Sequence, residues 1–245
     1  MKIKEVSMRK KQPMPKCPIC ATPTDQVLTN RLRRGEGTVF YCESCDHGFL
    51  RQDQKIDAKT YYDETYRSEY SHHASGGATN AREMFDIYSK YQTGRLPIIS
   101  PYLSKESKVL EIGASSGQFL ANIQERVAVV NAIELDKSCC DFMQTELGID
   151  SDSEFMNESK FAGQKYDIVC SFQVVEHVES PVSFLRDLKS FLKEDGVAFI
   201  EVPNLRDPLL SVWDVESYKA FYYRSVHLHY FTENSLKKVA MDAGF

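Results

Sequence analysis

Two sets of residues in this sequence have the types and spacing that chemistry requires. The first is Glu111-Ile112-Gly113-Ala114-Ser115-Ser116-Gly117, which follows the apolar pair Val109-Leu110 and has Glu134 placed 21 residues after Gly113. A tight glycine turn at the end of a strand lets backbone N–H groups approach a ligand. An acid at the tip of the next strand can accept hydrogen bonds from ribose hydroxyls. A pyrophosphate-binding turn has glycine at three places, G-x-G-x-x-G. Here Ser115 and Gln118 occupy the second and third of them, and Gln118 would crowd the helix–strand contact that a third glycine allows. An ordinary strand–turn–helix is the alternative reading of the turn taken alone.

The second set is Cys17-Pro18-Ile19-Cys20 and Cys42-Glu43-Ser44-Cys45, a C-x₂-C-x₂₁-C-x₂-C arrangement. Each C-x₂-C turn points two thiolates at one centre, and four thiolates close a tetrahedral zinc site with no open position. Such a site is structural. Between the pairs, Arg34-Gly35-Glu36-Gly37 reads as a turn and Thr38-Val39-Phe40-Tyr41 as a strand, the pattern of a zinc ribbon. Disulfides or a redox C-x-x-C are the alternatives. The basic N-terminus has no apolar core and so is not a secretory signal, which makes a reducing cytoplasmic setting the expectation and disfavours disulfides. Cys139, Cys140 and Cys170 read as small packed residues.

Three histidines are candidate bases. His177 ends Phe172-Gln173-Val174-Val175-Glu176-His177, a stretch that closes a buried run. It is either a base or substrate ligand, or a helix-end histidine bonded to backbone. His227 and His229 are two apart, which on an extended segment puts them on one face. An imidazole with a pKa near ~6.5 can take a proton around neutral pH. A metal reading of that pair lacks a third ligand nearby in sequence.

These residues need elements to hold them. Periodicity predicts a helix over 81–101, then strand 108–113, helix 117–126, strand 127–134, helix 136–147, a short strand within 149–156 and strand 167–172. Helix 181–193, a turn at Glu194-Asp195-Gly196, strand 197–202 and helix 235–243 follow. This alternation implies a parallel sheet with helices on both faces. The segment 205–226 reads as a long aromatic loop carrying Trp213, Tyr218, Phe221, Tyr222 and Tyr223, and a loop of that length is usually functional; we read it as a substrate lid. Packing of its own aromatics is the alternative. Tyr61 to Tyr70 forms a tyrosine-rich stretch, and Ser71 to Gly77 a loop. The domain expectation is a basic tail at 1–16, the ribbon at 17–50, a tyrosine-rich linker and helix at 51–100, and the main domain at 101–245.

The chain has 245 residues with 42% hydrophobic and 27% charged content, enough for one good-sized domain and a small one. Its net charge of −5 divides into +5 on residues 1–16 and −10 on the rest. A body this acidic argues against nucleic acid as a partner. No apolar run approaches the roughly 20 residues that span a bilayer, and no feature specifies an oligomeric state.

Glu111-x-Gly113-x-x-x-Gly117 with Glu134 resembles motif I of the class I S-adenosylmethionine-dependent methyltransferases. The resemblance implies an α/β, Rossmann-like, doubly wound sheet, here preceded by the zinc ribbon. It implies S-adenosylmethionine as cofactor, with Glu111, Gly113, Ala114 and Gly117 lining its methionine end. Glu134 would take the ribose, Leu135 flank the adenine, and Gln173 pass under the donor; 154–158 would hold the adenine contact. In that family the final helix leads into two more strands, which are absent from this sequence, so a fragment of a longer protein is the expectation. The layout over 17–245 is similar to the zinc-containing branch that C-methylates nucleotide-linked keto-sugars. Those enzymes carry Tyr-His-Glu-His where this chain has Arg224-Ser225-Val226-His227. The implied acceptor is a small sugar-like metabolite, methylated at oxygen, nitrogen or carbon, with structural zinc in the ribbon. The alternatives are an RNA methyltransferase using Arg31, Arg33 and Arg34 of the ribbon, or a non-catalytic zinc-ribbon interaction module.

Overall fold

The computed structural model describes residues 13–51 and 80–245. Most of the basic tail, the tyrosine-rich stretch and the Ser71–Gly77 loop lie outside the described residues. Two sheets organise the rest. The larger contains β4 (Lys108–Ile112), β5 (Val129–Ile133), β6 (Asp150–Asp152), β7 (Tyr166–Phe172) and β8 (Leu192–Glu201) in the order β6-β5-β4-β7-β8, with all pairs parallel. The predicted α/β class and doubly wound sheet are therefore observed.

The inner strands β4, β5 and β7 are rich in apolar residues because both their faces are covered. Alternate residues serve opposite cores. Val109, Ile168 and Cys170 join one core, which includes Phe119, Leu120 and Ile123 of helix α3 (Gln118–Ile123) and Met143 just after α4 (Lys137–Phe142). Leu110, Ile112 and Val169 join the other, with Leu185 and Leu188 of α5 (Pro181–Lys189) and Val239 of α8 (Glu233–Asp242). Burying each such aliphatic side chain contributes roughly 1.5–3 kcal/mol. The helices start where their caps stand. Asp136 caps α4, Ser180 precedes Pro181 at the head of α5, and Thr232 with Ser235 forms a capping box on α8.

Several boundaries differ from expectation for local reasons. The predicted 81–101 helix is broken into α1 (Ala81–Tyr88), a 3₁₀ stretch at Ser89–Gly94 and α2 (Leu96–Ile99), with Gly94 and Pro97 interrupting it. The predicted turn at Glu194–Gly196 lies inside β8. Its residues loop out where Tyr166 pairs with Leu192 but Ile168 already pairs with Val197. The 205–226 segment is not one open loop, since it contains α6 (Pro208–Ser211) and α7 (Glu216–Tyr222).

The smaller sheet holds β1 (Val27–Thr29), β2 (Val39–Cys42) and β3 (His47–Leu50), joined by β9 (His229–Tyr230). Gly48 pairs with Tyr230 and Phe49 with His229, so the ribbon's last strand comes from the far end of the chain. The aromatic segment packs on the ribbon, with Val39 clustered against Leu205, Leu210, Tyr222, Tyr223 and Tyr230. Asp46 ties the two together by accepting from Arg206 at 2.7 Å and from Asn234 at 3.1 Å. Trp213 stays two-thirds exposed, away from that packing. Among the described residues no helix is long and apolar enough to cross a membrane.

Candidate active site

The strand order reverses beside β4, where β5 and β6 extend one way and β7 and β8 the other. A doubly wound sheet opens a crevice at that point, outside the C-terminal strand ends. Gly113, Glu134, Gln173 and Glu201 all stand at those ends. Gly113 has φ +79°, and a Cβ there would lie 2.3 Å from Val174 Cγ2. Gly117 has φ +78°, and a Cβ would meet Met143 Cγ and Sδ at 2.8 Å. Both positions therefore exclude a side chain on conformational and steric grounds. Two non-glycine residues, Ser115 at φ +50° and Gln173 at φ +59°, share the unusual left-handed backbone. Such conformations cluster at functional sites, where the surroundings enforce them.

Glu134 joins two loops. One carboxylate oxygen accepts from the Ser115 backbone N–H at 2.7 Å, and the other from the Asp136 N–H at 2.9 Å. It thus reaches across the glycine turn from the tip of β5. Glu111 is buried, and its Oε2 has no hydrogen-bond partner among the described residues; the same holds for Ser116 Oγ and Gln118 Oε1. Burial pushes the Glu111 carboxyl well above the usual range. A turn whose buried acceptors lack partners and whose glycines leave the backbone bare fits a ligand that carries donors, such as the amino-acid end of S-adenosylmethionine. Ala114 is buried and Leu135 half-buried beside this turn.

The cleft contains a cation that sequence reasoning missed. Arg95, between the 3₁₀ stretch and α2, donates Nε to Glu201 Oε2 at 2.8 Å and Nη2 to Glu201 Oε1 at 2.6 Å. Its guanidinium lies 4.3 Å from the centre of the Phe172 ring, and Gln173 donates to the same Glu201 oxygen at 2.9 Å. The Arg95 hydrogen bonds hold Glu201 below the usual carboxylate range. A lone arginine beside the apolar run Leu96-Pro97-Ile98-Ile99 was the available signal.

The three histidines separate into two groups. His177 and His227 meet ring against ring at 4.8 Å between centroids. Glu176 lies with them, its Oε1 3.8 Å from His177 Nε2, and one ligand atom from each of the three lies within 4.8 Å of the others. His177 Nδ1 faces the Val226 carbonyl at 2.9 Å and must donate to it, which puts the ring's lone pair on Nε2. Burial pulls His177 down to about 4 and pushes Glu176 up to about 8. His229 does not share this face, contrary to the two-residue spacing argument. Its Nδ1 lies 3.0 Å from His47 Nε2 and its Nε2 3.0 Å from the Val178 carbonyl, so it links the ribbon to the body. The alternation rule fails because His227 precedes β9 and lies outside the strand.

In the ribbon, Cys17 and Cys45 Sγ atoms are 3.3 Å apart, Cys20 and Cys42 Sγ atoms 3.5 Å apart, and all four converge within 4.8 Å. Zinc–sulfur bonds of about 2.3 Å in a tetrahedron place sulfurs at this kind of separation. The four thiols fit a closed structural metal site, and no disulfide joins them.

Fold and cleft together define a class I S-adenosylmethionine-dependent methyltransferase domain. The family profile for the methyltransferase domain matches residues 81–245, more than half of the chain, and the chain belongs to that family. Curated relatives include the ubiquinone biosynthesis O-methyltransferases of Parvibaculum lavamentivorans and Aeromonas salmonicida. The first is 26% identical over 57% of this chain and 59% of the relative. The second is 28% identical over 41% of this chain and 44% of the relative. The chain thus spans about half the length of the curated relatives it matches. Solved structures of the same fold include a SAM-dependent methyltransferase from Archaeoglobus fulgidus. It has a TM-score of 0.53 and 22% identity, over 67% of this chain and 72% of that one. Magnesium protoporphyrin IX methyltransferase from Synechocystis, with bound SAH, has a TM-score of 0.53 and 15% identity, over 76% and 87%.

Proposed function

We propose that this chain methylates a small polar metabolite with S-adenosylmethionine, at an acceptor hydroxyl. The observation that carries this reading is the double hydrogen bond of Glu134 to Ser115 and Asp136 across the glycine turn. When bound, the cofactor supplies a methyl carbon made electrophilic by its sulfonium. Gly113 and Gly117 keep the backbone open to it, Glu134 accepts the ribose hydroxyls, and Leu135 flanks the adenine. The Arg95–Glu201 pair presents both signs of charge to the methionine end, and Glu111 lines it. Gln173, bonded to Glu201, lies beneath the donor. The cysteines Cys17, Cys20, Cys42 and Cys45 hold a structural zinc ion that fixes the ribbon on which β9 and the aromatic segment rest.

Oxygen is the favoured acceptor atom for two reasons. C-methylation beside a ketone needs a placed base and an enolate stabiliser, and Arg224-Ser225-Val226 carries neither the tyrosine nor the first histidine and glutamate of the sugar enzymes. The curated relatives are named O-methyltransferases. A sugar or nucleotide-linked sugar remains the acceptor class to try first, followed by hydroxylated rings. The base for the acceptor proton is His177 or His227, both kept neutral by burial.

Calorimetric titration with S-adenosylmethionine and with its demethylated product, with zinc assayed on the same sample, tests this directly. Micromolar binding with zinc present supports the reading and opens the acceptor screen. A folded, zinc-loaded chain that binds neither compound would overturn it in favour of the inert interaction module. Methylation of RNA with steep salt dependence would favour the nucleic-acid alternative.

A further inference from the structure

The Glu176–His177–His227 cluster has more in it than a general base requires. A base needs one imidazole, whereas here a second imidazole and a carboxylate stand beside it, with one ligand atom from each within 4.8 Å of the others. Glu176 is almost wholly buried, yet its Oε2 has no hydrogen-bond partner among the described residues. His227 is buried too, and its Nδ1 is likewise without one. Each such atom carries a desolvation cost of roughly 1–3 kcal/mol unless something satisfies it. The backbone aims the cluster with care: the Val226 carbonyl fixes the His177 ring through Nδ1, and the Leu228 N–H holds the Glu176 carbonyl at 2.8 Å. A histidine whose ring is oriented by a carbonyl on one nitrogen is the arrangement that positions metal ligands.

We propose that Glu176, His177 and His227 bind a divalent first-row transition-metal ion through one carboxylate oxygen and two imidazole nitrogens. The three candidate ligand atoms already lie within 4.8 Å of one another. Ligand bonds of about 2.0–2.2 Å need only a small inward movement of the side chains. The donor set suits zinc, iron, cobalt or nickel rather than magnesium or calcium, which prefer all-oxygen sites. Three protein ligands leave a coordination position for water or an acceptor oxygen. Arg224 adds positive charge close by, lowering the pKa of Glu176 and of both histidines. A single carboxylate then leaves the ion's charge only partly balanced, and an acceptor hydroxyl that gives its proton to solvent and binds as oxyanion completes the balance. That use rests on the methyl-transfer reading; binding of the ion does not.

The test is metal analysis of the full zinc-loaded chain, followed by cobalt(II) titration. The expected result is one divalent ion beyond the cysteine-bound zinc, which a thiol reagent fails to release. Its cobalt(II) form should show visible bands without thiolate charge-transfer absorption. Glu176→Gln and His227→Asn should each lose that ion while keeping the ribbon zinc and a cooperative melt. If either variant does not fold, X-ray absorption at the cobalt edge of the wild-type chain decides, through imidazole scattering without a sulfur shell. The proposal is overturned if thiol modification releases every bound ion, if the further ion survives both variants, or if sulfur surrounds the cobalt. S-adenosylmethionine titration of the same samples reads the donor site independently, so failure of the ion site and failure of the methyl-transfer reading are distinct results.

Discussion

Glu134 illustrates how one side chain can tie together the loops that border a cleft. Its two oxygens take backbone N–H groups from the loops that follow β4 and β5. Charge-assisted hydrogen bonds of this kind contribute roughly 1.5–3 kcal/mol. Glu134→Ala should therefore weaken S-adenosylmethionine binding by about 10–100-fold, measured by calorimetry, with the circular dichroism unchanged. Equal affinity in the variant would remove Glu134 from the ribose site. Glu111 differs because its carboxyl is buried without a full set of partners and titrates well above the ordinary ~4.3. A raised acid contributes its stability fully below the unfolded pKa and loses it as pH rises towards the folded one. Glu111→Gln should match the wild type near pH ~4 and melt progressively higher than it as pH rises to ~8. A difference in melting temperature that stays flat with pH would show that Glu111 is not desolvated. Both acids were legible in the sequence because Glu111 sits in an apolar strand two residues before the glycine turn and Glu134 follows the next apolar strand. Arg95 was not, because its partner Glu201 is 106 positions away and only the sheet brings them together.

At the level of elements, the strands and helices of the main sheet follow from periodicity and caps, and most were placed to within a few residues. The exceptions lie where tertiary contacts overrule local pattern. β8 absorbs a turn-like Glu-Asp-Gly as a looped-out segment because β7 pairs with it on both sides of the interruption. β9 is too short to be recognised alone, and it is a strand only because β3 offers an edge. That dependence has a measurable consequence. Zinc supplies on the order of 10–16 kcal/mol in small metal modules, so if the four cysteines hold the proposed zinc ion, a chelator should melt the ribbon and free β9. Hydrogen exchange at His229 and Tyr230 should rise to loop-like rates, and protease cleavage should appear within 205–230. Continued protection of β9 in the zinc-free protein would show that the ribbon folds on its own core.

The whole molecule reads as two chemical units that share structure. The ribbon contributes His47 to a buried pair with His229, Asp46 to Arg206 and Asn234, and Val39 to the aromatic cluster around Tyr230. With metal in place, these contacts couple the unfolding of the ribbon to that of the body. Calorimetry of the zinc-loaded chain should show one cooperative transition with equal calorimetric and van't Hoff enthalpies; two resolved transitions would make the ribbon an independent domain. The sequence alone determined the class of the fold, the glycine turn with its paired acids, and the four cysteines. Each of these is written in short-range spacing, where backbone geometry leaves few alternatives. Only the tertiary structure decided which histidines lie together. His227 and His229 are two residues apart, yet one faces His177 and Glu176 and the other faces the ribbon. Side-chain direction there is set by a strand pairing with residues some 180 positions earlier, and a contact that distant leaves no local pattern to read.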